Sequence, residues 1–253
     1  MKITQICYET EYRSFDLDLS DDEAIVFVIS RFQSERDFFV SSIEKAIYGT
    51  SGNEYEGLIE KSAISFDNGS KYSFPESRAQ KQPAPFTQES FRAHVLGDNP
   101  FDAPENDLQN KIYKKSFENY LAQLSGGRMT GLRWDREKGL LLEQGNFGVR
   151  LIQETSRGEY EQIRLAAMMS DIVTGRFQLQ IITTRSLDLL EEIVARRLFK
   201  ELAEITNENV QIFVVCTLRN VLGFPSGFRS PLVHDLDALE SFGKDAGHDE
   251  ERS

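Results

Sequence analysis

Residues 24–49, AIVFVISRFQSERDFFVSSIEKAIYG, contain the pattern that decides the fold. The run at 24–29 is continuously apolar and rich in β-branched residues, which is typical of a strand covered on both faces. Ser34 and Asp37 have capping-box spacing, so we expect a helix to begin at Ser34, and Gly49 is suited to end it. The apolar residues of this helix fall on one face: Phe38, Phe39, Ile43, Ala46 and Ile47. The stretch therefore predicts a buried strand, a short connection and a helix, as in an α/β fold.

The chain divides by composition into four segments. Residues 1–74 predict an N-terminal lobe that ends in a hairpin, because Asn68-Gly69 favours a tight turn between two strands. Residues 75–106 hold five of the seven prolines and predict a linker. Residues 107–230 predict a second α/β lobe, and the acidic residues 231–253 predict a tail that frays.

The second lobe contains both helical and strand patterns. Its first helix has a long apolar stripe and would end at Gly126-Gly127. The stripe comprises Leu108, Ile112, Tyr113, Phe117, Tyr120, Leu121 and Leu124. We expect further helices after 156–158 and along 190–205, and strands near 128–135, 140–143, 147–151, 178–183 and 210–216.

Composition excludes several classes of protein. The 253 residues include 40% hydrophobic residues, so a packed core is expected. No apolar run approaches the ~18 residues that span a bilayer, and the first residues show no export signal, so we expect a cytoplasmic protein without a membrane segment. Two cysteines and three isolated histidines give neither a disulfide scaffold nor a metal-binding spacing. The net charge of −12 argues against wrapping of nucleic acid by the whole surface.

The strand, turn and helix at 24–49 are the setting in which phosphate-binding loops occur, but the loop pattern G-x-x-x-x-G-K-[ST] is absent. The flanking residues nevertheless resemble a known family. MKITQI at 1–6 and YRSF at 12–15 are similar to the opening of SMC, SbcC and RecF-type ABC ATPase heads, and AIYG at 46–49 is similar to the end of their first helix.

The resemblance places each residue of the loop against a family position. Ser34 lies on the family's serine, Glu35 on the last loop glycine, Arg36 on the lysine and Asp37 on the Mg²⁺-binding hydroxyl residue. Four residues then replace the glycine-rich portion: Ser30, Arg31, Phe32 and Gln33. The resemblance therefore implies a degenerate phosphate loop.

The second lobe extends the resemblance. YLAQLSGGRM at 120–129 is similar to a stretch that follows the coiled coil in these heads, so the linker at 75–106 stands where the coiled-coil arm would be. SRGE at 156–159, comprising Ser156, Arg157, Gly158 and Glu159, resembles the ABC signature. Thr183 and Thr184 stand where the Walker B carboxylates are expected, and Leu218 stands at the position of the switch histidine.

The resemblance implies an ABC-ATPase-head-like fold, with a mixed sheet, flanking helices and two lobes folded as one domain. Phe32 and Gln33 would place side chains where a backbone must approach phosphate. Glu35 and Asp37 would add repulsion on the order of several kcal/mol at ~4 Å. We therefore expect no hydrolysis of ATP and no cofactor, with ATP and Mg²⁺ present only if a partner head contributes them.

The signature-like residues suggest what such a head would do. In the family, the signature serine and glycine contact the γ-phosphate on the opposite head, so Ser156 and Gly158 could complete a partner's site; equally, Ser156 could simply cap a helix. The resemblance favours a subunit of a DNA-repair or anti-phage assembly. Its partner would be an intact SMC-like ATPase or a nuclease, in a homo- or hetero-oligomer.

Two other functions remain open from the sequence. One is a diverged active ATPase that uses Arg36, although no glycine occurs between Ala24 and Ile47. The other is a DNA-binding module that works without nucleotide, with DNA bound directly or through the complex. Its contact residues would form a basic cluster near the expected neck of the head, which could also be a solvated sheet face: Arg128, Arg133, Arg136 and Lys138.

Overall fold

The computed structural model describes residues 2–11, 14–19, 25–49, 56–75, 110–174, 179–183, 187–205, 211–221 and 232–238. The chain divides into two compact units. The first unit comprises the described residues within 1–22, 29–85 and 235–253, and the second comprises those within 23–28 and 86–234. The sequence-based division at 74, 106 and 230 stays a prediction.

The described strands and helices alternate along much of the chain. The strands are β1 (Ile3–Thr10), β2 (Ser14–Asp18), β3 (Ile25–Ile29), β4 (Ile59–Phe66), β5 (Lys71–Phe74), β6 (Gly131–Asp135), β7 (Gly139–Glu143), β8 (Val149–Leu151), β9 (Leu179–Thr183), β10 (Gln211–Cys216) and β11 (Leu232–Asp235). The α-helices are α1 (Gln33–Tyr48), α2 (Lys111–Ser125), α3 (Arg157–Val173), α4 (Glu192–Ile205) and α5 (Leu218–Val221). Short 3-10 helices lie at Glu56–Leu58, Gly145–Phe147 and Ile152–Glu154.

The first unit is an antiparallel sheet in the order β2-β1-β4-β5, with α1 packed on one face. Alternate residues are buried from Ile6 to Thr10 of β1 and from Ser62 to Phe66 of β4, as the period of a strand with one covered face requires. Strands β4 and β5 pair as a hairpin, and Gly69 adopts a φ of 81° in its turn. The hairpin predicted from Asn68-Gly69 is therefore present.

The second four-stranded sheet has the order β11-β3-β10-β9, in which β9 and β10 run parallel. Every residue of β3 and β10 is buried, so the two continuous apolar runs in the sequence do mark strands covered on both faces. Phe27 of β3 packs against Phe199 of α4, with ring centres 5.9 Å apart. With β6-β7-β8 as a separate antiparallel sheet, the fold is mixed α/β, as predicted.

Helix α2 shows how capping and packing fix an element. The Asn110 side chain accepts hydrogen bonds from the first-turn N–H groups, and Gly126 ends the helix in the left-handed region at φ 66°. Tyr113, Phe117 and Tyr120 are buried, so the aromatic stripe belongs to the core. Ile112 was predicted in the same stripe but is 75% exposed, because it lies on the opposite side of the first turn.

Two expectations from the sequence are wrong. Helix α1 begins at Gln33, with Phe32 as an N-cap that makes no side-chain hydrogen bond, so Ser34 and Asp37 do not form a capping box. The chain also does not fray directly after Pro231. Residues 232–235 form strand β11, and buried Leu236 donates its N–H to the carbonyl of Ile29 at 2.8 Å.

Candidate functional site

The loop between β3 and α1, residues 30–32, is held by a carboxylate from the C-terminal part of the chain. Ser30 Oγ donates to Asp237 Oδ1 at 2.6 Å, and the Arg31 N–H donates to Asp237 Oδ2 at 3.0 Å. The Phe32 N–H donates back to Ser30 Oγ at 3.0 Å. The loop's N–H donors at 31 and 32 are therefore already bonded within the first unit.

Arg36, which the sequence places at the lysine position of a phosphate loop, is buried. The exposed fraction of Arg36 is only 6%. Nη1 donates to the carbonyl oxygen of Ser30, and Nη2 donates to Gln33 Oε1 at 2.6 Å. Its Nε is also buried and finds no hydrogen-bond partner among the described residues. The guanidinium thus points back at its own loop, where it binds oxygen atoms of the protein.

The remaining loop residues present bulk and negative charge. Phe32 is 53% exposed, and the Arg31 guanidinium lies 5.0 Å from its ring centre. Gln33 Nε2 donates to Asp37 Oδ1 at 2.7 Å. In the predicted alignment, Asp37 stands at the position of the Mg²⁺-binding hydroxyl residue, so this hydrogen bond engages its carboxylate. Ser34 is half-buried in the first turn of α1.

Beside the first turn of α1 lies a small cavity of about 280 Å³. Its floor is partly apolar, with Tyr8 and Phe38 among the lining residues, and three carboxylates line it as well: Glu11, Glu35 and Glu60. A cavity next to a phosphate loop would normally be electropositive if it held a triphosphate. This cavity has the opposite sign.

Comparison with solved structures gives similarity over most of the chain. A crystal structure of an Smc head bound to the C-winged helix domain of ScpA matches 87% of this chain and 90% of its own, with a TM-score of 0.60 and 14% identity. A Pyrococcus furiosus Smc head domain with an extended coiled coil, bound to the C-terminal domain of ScpA, matches with a TM-score of 0.58 and 10% identity, over 87% of this chain and 90% of its own. The SMC head domain from Thermotoga maritima matches 93% of this chain and 94% of its own, with a TM-score of 0.50 and 12% identity.

The chain has the fold of an SMC head domain. No protein-family model matches the sequence, and no curated protein matches it. The resemblance inferred from the sequence is thus confirmed at the level of the fold. Identities of 10–14% carry the architecture and leave the chemistry to be argued from the residues of this chain.

In this SMC-head-like fold, the signature-like residues lie at the N-terminus of α3. Ser156 is the N-cap: its Oγ accepts from the Glu159 N–H at 3.3 Å, and Glu159 Oε2 accepts from the Ser156 N–H at 2.9 Å. Glu159 Oε1 also pairs with Arg150 Nη2 at 2.6 Å. Ser156 therefore caps α3. Ser156 and Arg157 are also exposed, so the surface at this helix end is accessible.

The pKa of Glu159 reflects these contacts. Burial raises the pKa of its carboxyl, but the hydrogen bonds from Arg150 and Ser156 and the charge of Arg150 outweigh burial, so the pKa lies below its ordinary value. Gly158 serves packing in the same turn. A Cβ at this position would lie 2.9 Å from the backbone oxygen of Leu189, so only glycine fits this close approach without movement.

Other predicted positions are only partly described. Thr183 is the last residue of β9, and Thr184 and the Thr183 side chain lie outside the described structure. Leu218 begins the short helix α5 and is 58% exposed. Within the described residues no group of three or more His, Cys, Asp or Glu side chains could hold a metal ion, and no helix is both long and apolar enough to span a membrane.

The basic cluster lies around strand β6. Arg133, Arg136 and Lys138 are exposed, and Arg128 Nε donates to the carbonyl of Ser125 at 3.1 Å. Acidic neighbours accompany these residues in the same turn. Asp135 accepts from the N–H groups of residues 137 and 138, which lowers the pKa of its carboxyl, so it carries negative charge inside the cluster. This arrangement is typical of a mixed-charge surface.

Sequence reasoning missed Asp237 as a site residue. It was grouped with the other acidic residues of the tail, where composition indicates only a solubilising end. The residue is 207 positions from Ser30, and no local pattern couples the two. The local signal is three apolar residues just before it, Leu232, Val233 and Leu236, which could have suggested a strand that returns to the core.

Proposed function

We propose that this chain is a catalytically inactive SMC-like head that acts as a protein-binding subunit. The observation that carries the proposal is the buried Arg36 guanidinium, which donates to Ser30 and Gln33 of its own loop. In a working phosphate loop the cation at this position neutralises the phosphate oxygens of the nucleotide. In this chain the Arg36 guanidinium instead binds oxygen atoms of Ser30 and Gln33.

The surroundings of Arg36 support the same proposal. A triphosphate needs backbone N–H groups that converge on it and a net positive field. In this loop the N–H groups of Arg31 and Phe32 are bonded, and Glu35 lines an acidic cavity. The residues present do not fit a nucleotide, so no catalytic step is assigned to this loop.

Phosphate release from Mg-ATP by the purified full chain tests the proposal. We expect no turnover above a no-protein blank, at protein concentrations where an active ATPase of this size gives a steady signal. The contrary result is turnover that is lost in Arg36→Met but kept in Arg196→Met, a control at an exposed arginine on α4. That outcome would favour the diverged-ATPase alternative.

The partner is the second part of the proposal. Two of the similar structures are heads bound to a domain of ScpA, so surfaces on this fold can bind another protein. We extend this to the present chain and propose a partner that is an SMC-like ATPase or a nuclease in a DNA-repair or anti-phage assembly. The exposed N-terminus of α3 supports a contact with a nucleotide bound by such a partner.

A matched pair of variants separates that contact from simple capping. Asp and Asn both cap helices well, so Ser156→Asp and Ser156→Asn should preserve α3 equally. Only Ser156→Asp places negative charge toward a partner's phosphate. We expect Ser156→Asp to reduce the partner's ATP turnover in the reconstituted complex much more than Ser156→Asn does. Equal turnover with both variants would reject the contact and leave Ser156 as a cap.

A further inference from the structure

The carboxylate of Asp237 sits on the loop in the way that an anionic ligand would. Its two oxygens take separate donors, the hydroxyl of Ser30 at 2.6 Å and the N–H of Arg31 at 3.0 Å. Arg31 Nε lies 3.4 Å from the second oxygen and adds a charged contact. Two-point binding of an anion by a hydroxyl, a backbone N–H and a guanidinium is a form of oxyanion recognition that also suits phosphate.

The position of Asp237 is fixed by the turn that carries it. Leu236 is fully buried, and its N–H donates to the carbonyl of Ile29, immediately before the loop. Asp235 Oδ1 accepts from the Asp237 N–H at 3.0 Å, and the Ala238 N–H donates to the carbonyl of Asp235 at 3.2 Å. The carboxylate is therefore presented to the loop by an ordered turn, so little further entropy is lost when the contact forms.

A buried cation and the carboxylate of Asp237 share Ser30 as a hydrogen-bond partner. Arg36 is buried and bonded to the carbonyl of Ser30, the same residue whose hydroxyl binds Asp237. A second observation is that Arg36 Nε is buried without a hydrogen-bond partner among the described residues, so part of its charge is not satisfied by neutral acceptors. The carboxylate of Asp237 brings a negative group to the same residue that binds this cation.

We propose that Asp237 is the resident anion of the 30–32 loop and excludes phosphate from it. The chain would thus carry its own competitor for the anion site that an SMC-like head otherwise offers to a nucleotide. This inference rests on the proposed function. It deepens that proposal by naming Asp237 as the group that keeps phosphate out of the loop. It predicts that an anion site remains beneath the aspartate.

Titration of the full chain with inorganic phosphate, followed by calorimetry and by thermal unfolding, tests the proposal. Asp237→Ala frees the Ser30 hydroxyl and the Arg31 N–H, and we expect its phosphate affinity to exceed that of the wild type by about tenfold or more, since each charge-assisted hydrogen bond contributes that much. Asp235→Asn is the matched control. It removes one negative charge two residues away and keeps an oxygen that can hold the turn, so it should bind phosphate no better than the wild type.

Two further variants make the outcome decisive. Ser30→Ala combined with Asp237→Ala should lose the gained affinity, which places the phosphate on the loop. If Asp237→Ala does not fold, Asp237→Asn removes the charge with nearly the same shape and should show a smaller gain. Equal phosphate affinity of the wild type, the control and whichever Asp237 variant folds would overturn the inference.

The test separates this inference from the proposed function. If neither the wild type nor the Asp237 variants bind phosphate or Mg-ATP, the inference fails and the inactive-head proposal stands. If the wild type binds Mg-ATP in the micromolar range with Asp237 in place, the inference fails, and turnover of that Mg-ATP would overturn the proposed function as well. A gain that appears only in the Asp237 variants supports both.

Discussion

At the scale of single residues, burying a cation costs free energy unless oxygen atoms of the protein accept its hydrogen bonds. Nη1 and Nη2 of Arg36 meet this requirement through the carbonyl of Ser30 and the amide oxygen of Gln33, whereas Nε finds no acceptor among the described residues. Both acceptors lie in the loop that precedes α1 or in its first turn. The arginine therefore holds the entry to the helix in place of the missing side-chain cap at Phe32.

Removal of the Arg36 side chain should destabilise the chain. Arg36→Ala leaves two acceptors without their donor and opens a void in the first unit, so we expect the free energy of unfolding to fall by about 2–4 kcal/mol. Arg196→Ala removes an arginine that is 66% exposed and pairs with Glu192 on α4, and its effect should stay below about 1 kcal/mol. Urea unfolding of the two variants at pH 7 measures the difference. Similar midpoints for both would mean that Arg36 does not hold the loop.

Gly158 gives a second test of a residue-scale argument. Gly158→Ala would bring a Cβ to 2.9 Å from the backbone oxygen of Leu189, and we expect a loss of about 1–3 kcal/mol in the free energy of unfolding from the resulting strain. Gly57→Ala is the control, because its Cβ would meet no atom within 4 Å. Thermal unfolding of both variants checks this. An unchanged melting temperature for Gly158→Ala would remove the packing explanation for this glycine.

At the scale of elements, the N-terminus of α3 depends on an ionised carboxylate. The pKa of Glu159 lies below its ordinary value, so its contribution to stability is complete above the pKa of an unfolded glutamic acid. That contribution is lost as the pH falls through the lowered folded pKa. We therefore expect the wild type to be more stable than Glu159→Gln at pH 7 and the two to converge in strong acid. Chemical unfolding at a series of pH values measures this; a difference that stays constant down to pH 3 would contradict it.

The elements that the sequence predicted best are those with an unambiguous local cause. The apolar runs of β3 and β10 can be satisfied only in a covered sheet, and the Asn68-Gly69 turn fixes the register of its hairpin. The capping box was predicted wrongly because α1 begins at Gln33, so Phe32 takes the N-cap position and Ser34 lies inside the first turn. Local spacing alone did not reveal this difference.

The candidate site shows the same limit more strongly. From bulk and charge, the sequence predicted that the residues at 30–37 do not suit a nucleotide. It did not indicate that Arg36 turns back onto Ser30, nor that Asp237 returns to the same loop. Both contacts depend on the tertiary path of the chain, and the second joins residues 207 positions apart. Composition alone assigned Asp237 to a solvated tail.

At the scale of the whole molecule, the fold tolerates more sequence change than a phosphate-binding site does. The SMC-head-like architecture persists at 10–14% identity, because buried strands and packed helices tolerate many apolar sequences. A phosphate site tolerates far fewer, since it needs a bare backbone and a positive field. The chain keeps the buried strands and packed helices of the fold, while the N–H groups of Arg31 and Phe32 are bonded within the protein. This combination is what the proposed inactive head requires.

Calorimetric titration of Mg-ATP into the wild-type full chain measures the central claim most directly, because it detects nucleotide binding without any need for turnover. A loop that is filled by Arg36 and faced by Asp237 should give no saturable heat up to millimolar nucleotide. Saturable binding in the micromolar range by the folded wild-type chain would contradict the account.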